Sequence, residues 1–214
     1  MLSRDAEHLY WLTRYVERLE NTARMINVHS ELMLDFPGDK SLGWKPIIKT
    51  MDSEKLFQNK YSEYSEISAV KFLGDDKENE NSIISSLEMA RYNARAIKDD
   101  LPRSATEQLN NLFNEFSGGM SSSSSRRKRA SYIYNVISGT QRFFGIISDN
   151  FSRGYAFEFM RLGRFVERID MNSRIIDSLC INKSNEQTHD FHTLEWVSML
   201  RTLSAHESFR KEIR

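Results

Sequence analysis

From about residue 4 to residue 34 the apolar positions recur every three or four residues: Leu9, Leu12, Tyr15, Val16, Leu19, Ala23 and Ile26. At 100° per residue they form one stripe, the signature of an amphipathic helix. Arg14, Glu17, Asn21 and Arg24 fall on the opposite side of the wheel. Phe36-Pro37-Gly38-Asp39 stops the pattern, since Pro and Gly both break a helix. A second long helix is predicted over about 155–181, with Phe159, Leu162, Phe165, Val166, Ile169, Ser173 and Ile176 as its stripe.

Shorter segments lie between the two. Trp44 to Met51, Ser53 to Gln58 and Ser65 to Leu73 each fit a short helix, and residues 74–81 form a polar loop. Helical periodicity resumes from Ile83 to Asp100 through Ile84, Leu87, Ala90, Ala94 and Ile97, and Leu101-Pro102 ends it. Ser104 and Glu107 have capping-box spacing and predict the start of a helix carrying Leu109, Leu112, Phe113 and Phe116. A further helix is expected over about 129–150, with Ile133, Val136, Ile137, Phe144 and Ile147 inside. A last one is expected from Phe191 to Phe209 with Leu194, Val197, Leu200 and Leu203 inside. No segment alternates as a half-buried strand does. The fold class is therefore all-α, a multi-helix bundle with two long helices (about 4–34 and 155–181) and no sheet. Gly118-Gly119-Met120 and the serine run to Ser125 read as a linker, 118–128, joining halves of about 1–117 and 129–214 in one helical domain.

The two long helices share more than a period. Arg14-Tyr15-Val16-Glu17-Arg18-Leu19-Glu20-Asn21-Thr22-Ala23-Arg24 matches Arg164-Phe165-Val166-Glu167-Arg168-Ile169-Asp170-Met171-Asn172-Ser173-Arg174 at a constant offset of 150 residues. The exchanges keep size or charge. An offset of that length is too long for a solenoid unit and points to two related helical halves, or to a pseudo-symmetric bundle whose paired long helices pack together.

Composition narrows the function classes. Thirty basic and thirty acidic side chains give a net charge of zero, so no global field attracts nucleic acid or an anionic membrane. Only 3 Pro and 9 Gly interrupt 214 residues, which favours long helices. The single Cys180 excludes an internal disulfide framework and fits a reducing compartment. The opening residues carry charge from Arg4 onward and resemble no signal peptide, so a cytoplasmic protein is expected.

Candidate chemistry centres on the matched segments. Glu17 with Glu20, and Glu167 with Asp170, are i,i+3 carboxylate pairs that share a helix face. If the helices face one another, four carboxylates could converge on a divalent metal. Arg14, Arg18, Arg24 and their counterparts Arg164, Arg168 and Arg174 compete for those acids. Three readings stay open: a solvated, salt-bridged face, a polar network joining the two helices, and a catalytic or metal site. Arg91 and Arg95 form another i,i+4 pair suited to an anion or peptide contact, or to covering a helix flank with their stems. Glu186, His189, His192 and Glu195 carry a single ExxH spacing across a turn, which falls short of a di-iron set and reads as an exposed helix start. Arg126-Arg127-Lys128-Arg129 reads as a solvated linker end, Cys180 as a buried inert thiol, and His8, His29 and His206 as ordinary packed or surface residues. No phosphate loop, nucleophile elbow, metal set or cofactor motif is present, and no catalytic residue can be assigned.

Met1-Leu2-Ser3-Arg4 through Tyr10-Trp11, the segment from Arg14 to Arg24, Met89-Ala90-Arg91-Tyr92-Asn93-Ala94-Arg95, and Phe159-Met160-Arg161-Leu162-Gly163-Arg164-Phe165-Val166-Glu167-Arg168-Ile169-Asp170 closely resemble, in order, the alpha-E family. That family is a group of bacterial helical proteins named for a Glu-Arg motif. The resemblance implies an accessory protein with no established activity of its own. It implies partnership with an ATP-grasp-type peptide or amide ligase and a transglutaminase-like protein, with the Glu-Arg helices contacting the ligase or a peptide substrate. The alternative it leaves is an enzyme that uses the paired carboxylates, with or without a divalent metal, in amide hydrolysis or ligation. The matched motif positions are Glu17, Arg18, Glu167 and Arg168. Arg14, Arg24, Arg164, Arg174, Arg91 and Arg95 match flanking positions. Two departures stand out. Relatives of this type run on for about a third of their length beyond Arg214, and they carry a small residue where Leu19 and Ile169 stand, which implies an altered helix approach here.

Overall fold

The structure is a computed structural model that describes residues 2–35, 43–117, 125–185 and 192–213, side chains excepted at 179–185 and 192. The described elements are α1 (Ser3–Asp35), α2 (Lys45–Thr50), α3 (Glu54–Lys60), α4 (Glu66–Gly74), α5 (Ile83–Ala96), α6 (Arg103–Ser117), α7 (Arg126–Asn150), α8 (Tyr155–Asn185), α9 (His192–Thr202) and α10 (His206–Glu212). All are helices, and no strand occurs among the described residues. Most of the 118–128 linker and the Phe36-Pro37-Gly38-Asp39 stop fall outside the described residues.

Helix α1 is the axis of the fold. It packs against α5, α7, α8 and α9, with α4 at its flank. Its stripe is enclosed as the periodicity requires: Leu9, Leu12, Val16, Leu19, Ala23 and Ile26 are all at 1% exposure or less. Each large apolar side chain of this kind contributes about 1.5–3 kcal/mol by leaving water. Small residues bring α5 close. Thr22 and Ser86 are fully buried, as are Ala90 and Ala94. Helix α6 and helix α7 form the next layer, where Gly139 lets the α7 backbone approach Leu112.

Local signals set several helix ends. Ser65 accepts from the Ser68 backbone amide while Ser68 returns the bond to the Ser65 amide, a reciprocal cap at the start of α4. Ser82 caps α5 in the same sense through the Ser85 amide. Three expected boundaries shift. The Ser104–Glu107 capping box does not form: α6 opens at Arg103, directly after Pro102, and Arg103 donates to Glu107 across one turn. Helix α5 stops at Ala96, where Ile97 leaves the helical region at φ −121° and ψ 31°, although Ile97 and Leu101 remain buried. The expected helix from Phe191 to Phe209 is two, α9 and α10, broken where Ser204 takes φ +58°. The basic cluster begins a helix instead of trailing a linker. Arg126 and Arg129 each reach Glu66 of α4 at 2.6 Å.

Helix α8 lies on the outer side of α1, and the contacts fix its direction. Gly163 sits over Tyr10 and Thr13, Glu167 meets Arg14 and Arg18, and Ile175 shares a cavity wall with Met25 and His29. Residue numbers rise together, so α1 and α8 run parallel, and the elements between them carry the chain back. The face of α8 turned to α1 holds Met160, Gly163, Glu167, Met171 and Ile175. Its expected apolar stripe points the other way. Leu162 is 51% exposed and Ile169 is 69% exposed, with Phe159, Phe165 and Ile176 also open to solvent.

Candidate functional site

The matched segments meet across the α1/α8 contact, and they meet reciprocally. Glu167 accepts from Arg14 Nε at 2.6 Å and from Arg18 Nε at 2.6 Å, with a second bond from Arg18 Nη2 at 3.1 Å. Glu17 accepts from Arg168 Nε at 2.6 Å and from Arg164 Nε at 3.1 Å. Exchanging each residue for its counterpart 150 positions away turns one cluster into the other. With the helices parallel, this relates them by an approximate two-fold axis running between and along them. One Glu–Arg–Arg cluster therefore sits on each side of the helix pair.

Both carboxylates are closed off from solvent. Glu17 is 1% exposed and Glu167 is 0% exposed. On the wheel they lie opposite the apolar stripe, where a solvated face is one reading; that face is instead the floor of a second helix–helix contact. A buried carboxylate is tolerated only when its oxygens are bonded and its charge is met. Here both oxygens of each are used, and two guanidinium groups stand against one carboxylate, leaving one positive charge per cluster. The arginines reach outward. Arg14 and Arg18 keep 16% and 17% of their side chains exposed, Arg164 and Arg168 30% and 39%. Burial opposes the charge on Arg14, but the hydrogen bonds it donates to Tyr10 and Glu167 outweigh it and raise its pKa. Arg168 behaves likewise, burial being outweighed by Glu17, with the nearby Glu20 carboxylate adding to the effect.

Backbone proximity makes the reach possible. A Cβ on Gly163 would lie 2.2 Å from the Tyr10 carbonyl oxygen and 2.5 Å from Thr13 Oγ1. Only glycine lets the two helices approach this closely. Leu19 and Ile169, expected to govern the approach, take no part in it: Leu19 is buried in the core and Ile169 faces solvent. Gly163 is the positioning residue that sequence reasoning missed. A glycine inside a strongly helical run was the available signal.

Aromatic rings wall each cluster, from different sources. Arg14 lies 5.7 Å from the Tyr10 ring centroid and 5.5 Å from Trp11, and Arg18 5.4 Å from Tyr15, all on α1. Arg14 Nη1 also donates to the Tyr10 hydroxyl at 3.0 Å. Arg164 stacks 3.7 Å from Phe144, supplied by α7.

The remaining candidates separate from these clusters. The second acids turn to their own helices: Arg24 donates to Glu20 at 2.5 Å and Arg174 to Asp170 at 3.2 Å. The four carboxylates thus do not converge, and no group of three or more His, Cys, Asp or Glu side chains suited to a metal occurs among the described residues. Arg91 packs 3.9 Å from Phe113 and donates to Asn110 of α6, away from both clusters; burial and the neighbouring Arg95 lower its pKa. His29 is buried, with Nε2 2.8 Å from the Gly43 carbonyl and Trp44 edge-on to its ring. Glu195 lines a cavity of about 100 Å³ with His29, whereas Glu186, His189 and the side chains of His192 and Cys180 lie outside the described residues. No described helix is long and apolar enough to cross a membrane.

A family model described as alpha-E, "a predicted alpha-helical domain with a conserved ER motif", matches residues 1–214. The chain belongs to the alpha-E family. The ER motif of this alpha-E chain occurs at Glu17-Arg18 and again at Glu167-Arg168, and each motif glutamate pairs with the motif arginine of the other helix. No curated protein and no solved structure matches the alpha-E chain.

Proposed function

We propose that this alpha-E chain is a recognition component of an ATP-grasp-type peptide or amide ligase system. Its α1/α8 pair contacts the ligase or a peptide substrate through guanidinium edges. The observation that supports this is the charge imbalance of the two clusters. Each buries one carboxylate and presents two arginines, so each offers a fixed positive charge at a partly exposed edge. Fixed guanidinium forks suit carboxylates and phosphates, binding them in two-pronged geometry. A transglutaminase-like protein is a second candidate partner in such a system. The enzyme alternative asks one of these carboxylates to reach a substrate. Glu17 and Glu167 are enclosed and engaged through both oxygens, which favours a structural role for them.

The test is capture of a purified ATP-grasp ligase from the same organism by the immobilised chain. Arg18→Gln and Arg168→Gln are compared with the unaltered protein, and melting curves verify the fold. Loss of capture in a folded variant is expected. Undiminished capture by both folded variants would remove the clusters from the contact.

A further inference from the structure

The approximate two-fold axis allows each side of the α1/α8 pair to be checked against the other, and one position is unmatched. Around Arg14, the space beside the guanidinium is occupied by Tyr10 and Trp11, and the Tyr10 hydroxyl accepts a hydrogen bond from Arg14 Nη1. The residues 150 positions later are Met160 and Arg161. Neither supplies a ring or a hydroxyl to Arg164, one face of which is covered instead by Phe144 of α7. Arg164 donates through Nε to Glu17 and stacks on Phe144, with no counterpart to the Tyr10 hydroxyl. Beside it, in the groove between α7 and α8, is a cavity of about 140 Å³ walled by Phe144, Ile147, Phe157 and Met160. Arg161 and Arg164 also line it.

We infer that this cavity is a binding site for a carboxylate carried next to one apolar side chain, such as a C-terminal phenylalanine or leucine. The carboxylate would take the place at Arg164 that the Tyr10 hydroxyl holds at Arg14, and the side chain would take the place of the Tyr10 and Trp11 rings. The size fits: a dry apolar cavity of roughly 150 Å³ accommodates a benzene ring. The charge fits as well. The Glu17 cluster carries one surplus positive charge, and Arg161 is engaged by the exposed Glu158 at 3.0 Å, a surface pair weak enough to yield to a better acceptor. The apolar wall excludes water from one side of the guanidinium, which strengthens its hydrogen bond to an anion. This goes beyond the ligase reading and does not depend on it, because the ligand is bound by the isolated chain.

The probes are N-acetyl-phenylalanine, its primary amide, and the peptide Gly-Gly-Phe, titrated into the full chain labelled at methionine methyl groups. The expected result is a saturable shift of the Met160 methyl resonance with N-acetyl-phenylalanine and at least about tenfold weaker binding of the amide. Met160→Tyr restores the residue type found at Tyr10 and fills the cavity. Ser148, which also lines the cavity, offers a second variant: Ser148→Phe fills it from α7 and serves if the first variant misfolds. Calorimetry on either folded variant should show binding weakened by about tenfold or more. Tighter binding of Gly-Gly-Phe identifies a chain terminus as the source of the carboxylate; tighter binding of N-acetyl-phenylalanine identifies a small acid. No Met160 shift up to about 10 mM probe, equal binding of acid and amide, or undiminished binding by both folded variants would each overturn the inference.

Discussion

Leu19 and Ile169 hold the same place in two segments that match residue for residue, yet Leu19 is fully enclosed and Ile169 is 69% exposed. The same contrast runs along the stripes: Leu12 at 0% against Leu162 at 51%. The helices have the same pattern, but α1 has neighbours on every side and α8 is covered mainly by α1. A pattern of apolar residues states which face of a helix can be buried; the number of neighbours decides which face is. For α8 the contact with α1 runs through glycine, methionine and a buried carboxylate. Helix α8 is therefore held by the side of its wheel opposite the expected stripe.

The pair Leu19→Glu and Ile169→Glu tests that contrast with the largest expected effect. A glutamate at position 19 would bring an unpaired carboxylate into the core, at a cost on the order of 4 kcal/mol or more, sufficient to abolish cooperative unfolding. At position 169 the change should lie within about 0.5 kcal/mol. Urea denaturation followed by circular dichroism measures both. Comparable losses at the two positions would mean that the stripe of α8 is covered in solution.

The two clusters give a subtler contrast. Arg14 and Arg18 are at most 17% exposed, whereas Arg164 and Arg168 are at least 30% exposed. Removing Glu167 strands the more buried pair. Glu167→Ala should cost about 3 kcal/mol and Glu17→Ala about 2 kcal/mol, the smaller value reflecting solvent access to the orphaned cations. Chemical denaturation of both variants ranks them. The reverse order would show that solvent access to the arginines does not control the penalty.

Two close-approach glycines extend the comparison to the backbone. A methyl group at Gly163 meets the Tyr10 carbonyl oxygen at 2.2 Å, whereas one at Gly139 meets the Leu112 side chain at 2.3 Å. A carbonyl on a helix cannot step aside, but a leucine can change rotamer. Gly163→Ala should cost about 2 kcal/mol and weaken the Glu–Arg bonds by parting the helices; Gly139→Ala should cost about 1 kcal/mol. Melting temperatures decide the order.

Much of this architecture was legible in the residues. The helices, their class and the constant offset between the matched segments all follow from period and spacing. The boundaries at Arg103, Ala96 and Ser204 were not, because single residues such as the left-handed Ser204 set helix ends below the resolution of periodicity. For the site, the charged residues were identifiable as a set. Their burial was not, since a wheel assigns Glu17 to the polar side and cannot know that another polar side will be laid against it. Nor could the pairing of each glutamate with the other helix's arginines be read from spacing, because i,i+3 and i,i+4 partners were equally available on its own helix. Glu20 and Asp170 took that local option, with Arg24 and Arg174.

The last contrast is between the two ends of the α1/α8 contact, and it is read by pH. Towards its start the contact is held by arginines, which stay charged well beyond pH 8. Further along, His29 and Ile175 border the same cavity, and burial lowers the His29 pKa from 6.5 in spite of the bond to the Gly43 carbonyl. A histidine whose folded pKa lies below its unfolded value takes up more protons when unfolded. Stability is therefore full above the unfolded pKa and falls as pH drops below it. Between about pH 7 and pH 5.5 the melting temperature should decline, and His29→Gln should flatten the slope while leaving the Glu–Arg clusters intact. The expected change is small, under about 1 kcal/mol, because it comes from a single group. Protection of backbone amides in the second half of α1 should fall with pH, while that around Arg14 and Arg18 stays constant. A uniform loss of protection along α1 would mean that the two ends of the contact open together.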